Sequence, residues 1–274
     1  MRGHIAGACL AVLALTSCSA DEVEPEDAAA EDVERETPEP DEEPDETEDP
    51  LEDEPEPAGL EDLAEEYLRL TMSRTVSKIE EAADLAAPGS IADAYRSFQL
   101  ASAQANATAG FSVDPDTVQS TDNGLEACSQ DGGCSTYSDF DGSELLESFT
   151  IDGEHVGDRL AQLEGEHDLP GGGTLRPTTA YEPMSFDGLM VTFTVQAGEH
   201  ALDVAFNSAT YITESGTQLG ATDGQGSWEL RAGSTGHYFV LVADAGLGGE
   251  LIVDGFVDPP GESMDAWEVG FPAS

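Results

Sequence analysis

The sequence predicts an α+β N-terminal domain, in which two helices lie on an antiparallel β-meander, followed by an all-β sandwich. Two observations carry this prediction. Apolar residues recur at spacings of three and four over residues 60–105, which is the period of an amphipathic helix. From about residue 110 that period gives way to short alternating segments separated by glycine turns. We place the α+β domain at residues 58–163 and the sandwich at residues 174–258.

The N-terminus reads as an export signal over residues 1–17. Arg2 supplies a positive charge, and residues 5–15 form an apolar run that is shorter than the about 20 residues needed to cross a bilayer. The stretch Leu15-Thr16-Ser17-Cys18 resembles the lipobox of bacterial lipoproteins. The resemblance implies cleavage before Cys18, acylation of its sulfur and anchoring at the extracytoplasmic face of the membrane. The alternative is an ordinary cleaved signal with an incidental Cys18.

Residues 18–57 are predicted to be a disordered linker. Beyond residue 20 this segment consists almost entirely of Asp, Glu, Pro, Ala and Thr, with Arg35 as its basic side chain. Such a composition cannot bury enough apolar surface to offset the conformational entropy of folding. We interpret it as a spacer that holds the folded part away from the membrane; a binding tail for cations or basic proteins is the alternative.

The charge of the chain restricts its partners. The formal net charge is -49, and no basic patch is present that would neutralise phosphates, so nucleic acid is not expected as a partner. The same charge opposes docking on anionic lipid, and membrane contact is therefore expected through acylated Cys18. A cell-envelope protein or wall component is the remaining class of macromolecular partner.

Cysteine usage predicts a disulfide. Cys9 lies in the signal and Cys18 in the lipobox, which leaves Cys128 and Cys134. In an exported protein such a pair usually forms a disulfide, and the turn-rich residues 129–133 allow the two sulfurs to face each other across a hairpin. A zinc site or a redox motif fits less well, because no His is near in sequence and five residues separate the cysteines.

Two helices are predicted in antiparallel contact. The first follows the linker and ends at Pro88-Gly89, and the second opens at Ser90 as N-cap with Asp93 three residues later. The inner face of the second helix is predicted to consist of Ile91, Tyr95, Phe98, Ala101 and Ala105. We assign these side chains to packing.

A meander is expected to follow. Turn signals Asn123-Gly124, Asp131-Gly132, Asp141-Gly142 and Asp152-Gly153 separate predicted strands at residues 125–128, 134–140 and 145–151. The segments at residues 134–140 and 149–153 resemble an N-terminal region of uncharacterised actinobacterial exported lipoproteins. The order of helices and strands is similar to cone-shaped folds of the nuclear transport factor 2 type. Neither resemblance implies an activity.

Residues 164–173 are predicted to be a domain boundary, and residues 259–274 a C-terminal tail that packs on the sandwich or stays loose. Strands are predicted between them from the alternation Leu189, Val191, Phe193, Val195 and from five later runs. The module resembles the immunoglobulin-like domains of exported bacterial proteins in its number of strands. Trp228 and Tyr238 are predicted to fill its core.

No catalytic residue, metal ligand or cofactor site emerges from the sequence. The histidines at 155, 167, 200 and 237 lack the spacing of a zinc-binding helix. Asp139, Asp141 and Glu144 form an acidic cluster without the twelve-residue calcium loop.

The main hypothesis is a non-catalytic surface binding or structural module. The alternatives are a small-ligand or cation carrier with a pocket between the helices and their sheet, and, third, an enzyme.

Overall fold

The computed structural model describes residues 59–184, 186–258 and 263–274. The signal segment, Cys18 and the acidic linker therefore lie outside the described residues. The described part begins with three helices, α1 (Leu60–Thr71), α2 (Val76–Glu81) and α3 (Ile91–Thr108), with a short 3-10 turn at Ala82–Leu85 between the last two. No helix among the described residues is long and apolar enough to cross a bilayer.

The first predicted helix is interrupted. The prediction of a single long helix before Pro88 was therefore wrong. The break lies at Met72 to Thr75, where the Ser73 hydroxyl donates to the Leu70 carbonyl at 2.6 Å and ends α1. Arg74 adopts φ 58°, in the left-handed region that non-glycine residues seldom occupy. Its side chain is bound by two distant residues, described below, and this tertiary contact accounts for a backbone conformation that local sequence does not favour.

Helix α3 begins as predicted. The Ser90 hydroxyl accepts a hydrogen bond from the Asp93 backbone amide at 3.2 Å, which satisfies one of the free donors at the helix start. Buried side chains occur on more than one face of α3, including Ala92, Tyr95, Phe98, Gln99 and Ala103. The helix is therefore covered on several sides.

The predicted meander is present and is longer than expected. It forms a five-stranded antiparallel sheet, in chain order, of β1 (Thr117–Thr121), β2 (Gly124–Cys128), β3 (Cys134–Gly142), β4 (Leu146–Ile151) and β5 (Glu154–His155). Asp152 and Gly153 both have positive φ, 51° and 82°, as the tight turn between β4 and β5 requires. Asp141-Gly142 was predicted as a turn but lies at the irregular end of β3, where the register with β4 shifts.

Two further antiparallel sheets follow. Their strands are β6 (Leu160–Gln162), β7 (His167–Leu169), β8 (Gly173–Tyr181), β9 (Gly188–Gln196), β10 (Ala201–Val204), β11 (Thr210–Ile212), β12 (Gln218–Gly220), β13 (Asp223–Gln225), β14 (Glu229–Leu230), β15 (Thr235–Ala243), β16 (Glu250–Asp258) and β17 (Asp265–Pro272). One sheet has the order β13-β15-β9-β8-β6, with β7 also paired to β8. The other has the order β12-β11-β16-β10-β14, with β17 paired to β16.

The two six-stranded sheets share an apolar core. Phe193 and Tyr238 stack at its centre with ring centroids 5.2 Å apart, and both are almost completely buried, as predicted for Tyr238. The core placement predicted for Trp228 was wrong, because this side chain is 56% exposed. Its ring contacts Phe206 at a centroid distance of 4.8 Å from outside the core. The segment around Trp228 is too short for its pattern of polar and apolar residues to predict whether this side chain faces the core or the solvent.

The strands extend beyond the predicted limits of the sandwich. Strands β6 and β7 include residues before 163 and residues of the predicted boundary 164–173, and both pair with β8. The predicted tail contributes β17, which pairs with β16 along eight residue pairs. Helix α3 packs against β4 of the first sheet and against β8, β9 and β15 of the second. The described chain is thus mostly antiparallel sheet with a few helices, which confirms that level of the prediction.

Candidate functional site

The predicted disulfide is present. Cys128 ends β2 and Cys134 begins β3, and the two residues face each other in the register of the hairpin with Cα atoms 4.1 Å apart. The turn between them is closed by the Ser129 amide donating to the Gly133 carbonyl at 2.8 Å. The cystine therefore joins the ends of a tight loop.

A cavity of about 370 Å³ lies beside this hairpin, where α3 passes between the first and second sheets. Three structural elements form its walls. Helix α3 provides the first, strands β2 to β4 with the disulfide hairpin provide the second, and the second sheet with the segment after β8 provides the third. The volume lies within the range of small-molecule sites in proteins. The space is a partly open cleft at one side of a helix-sheet interface that is otherwise filled by the apolar core around Phe149.

The α3 wall carries a polar stripe. Gln99, Ser102 and Asn106 follow one another at spacings of three and four, so they lie on one face of the helix, in line with Tyr95 one turn earlier. Gln99 is 5% exposed and Ser102 is 9% exposed. The Ser102 Oγ has no hydrogen-bond partner among the described residues. A buried polar stripe on a helix is costly in a packed core and is typical of a binding surface.

Arg74, which lines the cavity, links helix α3 to the segment before β1. Its guanidinium donates to Gln99 Oε1 at 2.9 Å and to Asp116 Oδ2 at 2.7 Å. The Asp116 side chain is only 11% exposed, and that of Arg74 is 31% exposed. Arg74 makes both hydrogen bonds while its backbone is in the left-handed conformation. A strained residue that is held by its neighbours is a frequent feature of functional sites.

Two tyrosine hydroxyls also line the cavity. The Tyr95 and Tyr137 hydroxyls are 3.2 Å apart, and either can donate. The Tyr137 hydroxyl also lies 3.9 Å from Met72 Sδ. Burial raises the pKa of the Tyr95 phenol and raises that of Tyr137 well above its ordinary value. Both phenols are therefore neutral hydrogen-bonding groups at physiological pH.

The third wall is mainly apolar and contains two flexible methionine side chains. It is made by Tyr181, Met184, Met190 and Phe239, of which the last three are half-buried. Methionine side chains are flexible and polarisable, and they adapt to differently shaped apolar groups. The cavity therefore presents amides and hydroxyls on one side and adaptable apolar surface on the other.

Alkaline pH should unfold the protein cooperatively. Burial raises the pKa of all six tyrosines. Since an unfolded tyrosine ionises near pH 10, the unfolded state loses these protons first, so stability is full below that pH and falls as the pH rises above it. Phenolate absorbance should appear together with the loss of circular dichroism. Gradual ionisation with an intact fold would contradict this prediction.

Removal of the disulfide should destabilise the folded part moderately. The cross-link closes a loop with a sequence separation of 6, for which chain entropy gives about 2 kcal/mol. We expect that loss in the free energy of unfolding for Cys128→Ser combined with Cys134→Ser, measured by chemical denaturation. Reduction of the unaltered protein should raise its mass by two hydrogens. An unchanged mass would show that the two cysteines are unpaired.

Other residue groups considered in the sequence do not form a comparable site. Among the described residues, Glu126, Cys128 and Cys134 gather three potential metal-ligand atoms, but both sulfurs belong to the disulfide. The Asp139 carboxylate is exposed and accepts hydrogen bonds from Ser138 and Thr150. None of the described histidines lines the cavity. A larger depression of about 850 Å³ next to the start of α1 is bordered mainly by exposed acidic and turn residues.

Three polar residues that line the cavity, Gln99, Ser102 and Asn106, were not predicted. The assignment of Tyr95 and Phe98 to packing is confirmed, since they are 2% and 4% exposed and belong to the core around Phe149. The available signal was the second stripe on α3, displaced from the apolar stripe and composed of amides and a hydroxyl. A helix exposed on that side would carry such residues for solubility, so the stripe becomes informative only when both faces are known to be covered.

Comparisons with known proteins do not assign a family. No protein-family model matches the chain, and no curated protein matches it. A solved structure, of a functionally unknown protein from Listeria monocytogenes EGD-e, is similar over 42% of this chain and 85% of its own, at 12% identity and a TM-score of 0.27. A likeness at this level establishes neither fold nor function.

Proposed function

We propose that this protein is an exported, lipid-anchored binding protein that takes a small ligand into the cavity between α3 and the sheets. The observation that carries the proposal is the cleft of about 370 Å³, whose α3 wall holds a buried hydroxyl without a hydrogen-bond partner among the described residues. Buried polar groups are otherwise paired in proteins, and a module with a purely structural role does not require such an exception. The carrier hypothesis is therefore favoured over a scaffold.

Anchoring is proposed from the N-terminal sequence. Acylated Cys18 would hold the protein on the extracytoplasmic face of the cell membrane, and residues 18–57 would act as the spacer. Two acyl chains suffice for stable attachment, because each buried CH2 group contributes about 0.8 kcal/mol. A ligand in the cell envelope would then reach the cavity without crossing the membrane, and an envelope protein or wall component would be the partner that delivers or receives it.

We propose binding without catalysis. The cavity wall offers Asp116, Tyr95, Tyr137 and Tyr181 as its ionisable acids. Asp116 is paired with Arg74, and burial raises the pKa of the three tyrosines, which keeps them protonated at neutral pH. A general base poised near neutral pH is thus not provided by these groups. No cofactor is required for the proposed role.

We further propose that the helices with the five-stranded sheet constitute the α+β domain, and that the two six-stranded sheets constitute an immunoglobulin-like sandwich in the broad sense of two packed antiparallel sheets. Separate apolar clusters in the two parts support this division. The cavity would then lie at the junction of the domains, which is a common location for ligand sites.

The proposed function can be tested by filling the cavity. Ser102→Leu replaces the unpartnered hydroxyl with a larger apolar group, and we expect it to stabilise the free protein by about 1 kcal/mol. The unaltered protein should gain thermal stability from some members of a library of uncharged fragments, and the variant should gain none. Asn106→Leu serves as a second blocking variant if the first folds poorly. A library without any stabilising fragment would contradict the proposal and favour a surface scaffold.

A further inference from the structure

The buried hydroxyl of Ser102 identifies the polar end of the cavity. Ser102 is 9% exposed, lines the cavity and has no hydrogen-bond partner among the described residues. A hydroxyl offers one donor and two acceptor positions. Leaving it unsatisfied destabilises the free protein, and a ligand that supplies the missing hydrogen bond recovers this loss on binding. Because the Oγ atom itself is closed to solvent, we expect a χ1 rotation of Ser102 toward the cavity to accompany that bond. Asn106, one turn later, adds an amide donor and an amide acceptor to the same wall.

The charges of the cavity are already compensated. Arg74 and Asp116 are the charged side chains among its lining residues, and they pair at 2.7 Å. Another nitrogen of the Arg74 guanidinium donates to Gln99, and its buried Nε has no hydrogen-bond partner among the described residues, so it can donate to a ligand carbonyl. A ligand carboxylate there would add a second negative charge beside Asp116, in the field of a chain with net charge -49. A ligand ammonium group would meet the Arg74 guanidinium and would lack a free carboxylate.

The wall formed by the second sheet and the segment after β8 is mainly apolar. Met184, Met190 and Phe239 belong to it, and each is half-buried without a ligand. An apolar ring or short chain placed against them would remove their exposed surface from water, which stabilises the complex in proportion to the area buried. The disulfide hairpin also lines the cavity, through Cys134.

We propose that the cavity binds an uncharged amphipathic molecule, with a carboxamide, ester or hydroxyl group at Ser102 and Asn106 and an apolar ring or chain against Met184 and Met190. This inference rests on the proposed function and adds the chemical class of the ligand to it. Neutrality of the ligand follows from the internally paired Arg74 and Asp116. Polarity at one end follows from the unsatisfied Ser102.

The class can be tested with three probes of nearly the same shape and different charge. Phenylpropanamide is neutral, phenylpropanoate is an anion and phenylpropylammonium is a cation at neutral pH. We expect the amide to bind at least tenfold more tightly than either ion, measured by ligand-observed NMR titration of the full chain carrying Cys18→Ser. Equal or tighter binding of either ion would overturn the proposed class while leaving the site in place.

Two serine variants separate recognition from stability. Ser102→Ala should weaken amide binding about three- to tenfold, which is the range for loss of one hydrogen bond. Ser97→Ala, on the same helix but outside the cavity lining, should leave the affinity unchanged. Equal effects of both variants, or none from Ser102→Ala, would overturn the role of this hydroxyl. Failure of all three probes and of every neutral fragment would overturn the site itself together with the proposed function.

Discussion

Phe149→Ala is expected to reduce the free energy of unfolding by about 4 kcal/mol, the typical loss for a fully buried phenylalanine. Phe149 is completely buried on β4. Its ring lies 5.3 Å from that of Tyr95 on α3 and 6.0 Å from that of Tyr67 on α1, measured between centroids. Truncation would leave a void where α1 and α3 meet the first sheet. Since a domain is usually stable by 5–15 kcal/mol, the variant should unfold much more easily in urea.

A matched control is available in the second part of the chain. Phe256 lies on β16 and is 42% exposed, so Phe256→Ala should lower the free energy of unfolding by only about 1 kcal/mol. Equal effects of the two substitutions would show that the aromatic cluster around Phe149 does not hold α1 and α3 on the sheet. The aromatic cluster around Phe149 would then not be what fixes the positions of the cavity walls.

Cys18→Ala is expected to release the protein from the membrane completely. The proposed anchor depends on the sulfur of this residue, and no helix in the described part of the chain can substitute as a membrane span. The net charge of -49 also opposes retention on anionic lipid. Fractionation of cells into membrane and soluble material, followed by detection of the protein, measures the outcome.

Cys9→Ala provides the corresponding control. Cys9 lies within the predicted signal, so its replacement should leave both cleavage and anchoring intact. Incorporation of labelled palmitate should be lost with Cys18→Ala and retained with Cys9→Ala. Continued sedimentation of the Cys18→Ala variant with membranes would refute the lipid anchor.

The meander and the disulfide were predictable because their determinants are local. The dipeptides Asn123-Gly124, Asp131-Gly132 and Asp152-Gly153 provide the backbone freedom that tight turns require, and alternating burial follows from the period of a strand. Cys128 and Cys134 were paired correctly because the turn between them fixes their register. The core position of Tyr238 followed from the same alternation.

The break after α1 and the residues that line the cavity were not predictable, because they depend on residues far apart in sequence. The left-handed conformation of Arg74 is supported by Gln99 and Asp116, and neither contact is visible in the period of the helix. The cavity walls come from α3, from the first sheet and from the second. The exposure of Trp228 likewise depends on its neighbours in three dimensions, since its own segment is too short to establish a face.

The central claim, that the space between α3 and the sheets is a ligand site, is tested most directly by NMR of methyl-labelled methionines. Met184 and Met190 line the cavity, Met72 lies behind Tyr137, and Met264 is 54% exposed and outside the cavity lining. Titration with phenylpropanamide should shift the methyl resonances of Met184 and Met190 and leave that of Met264 unchanged. A shift of Met264 without change at Met184 and Met190, or no shift at any methionine, would contradict the account.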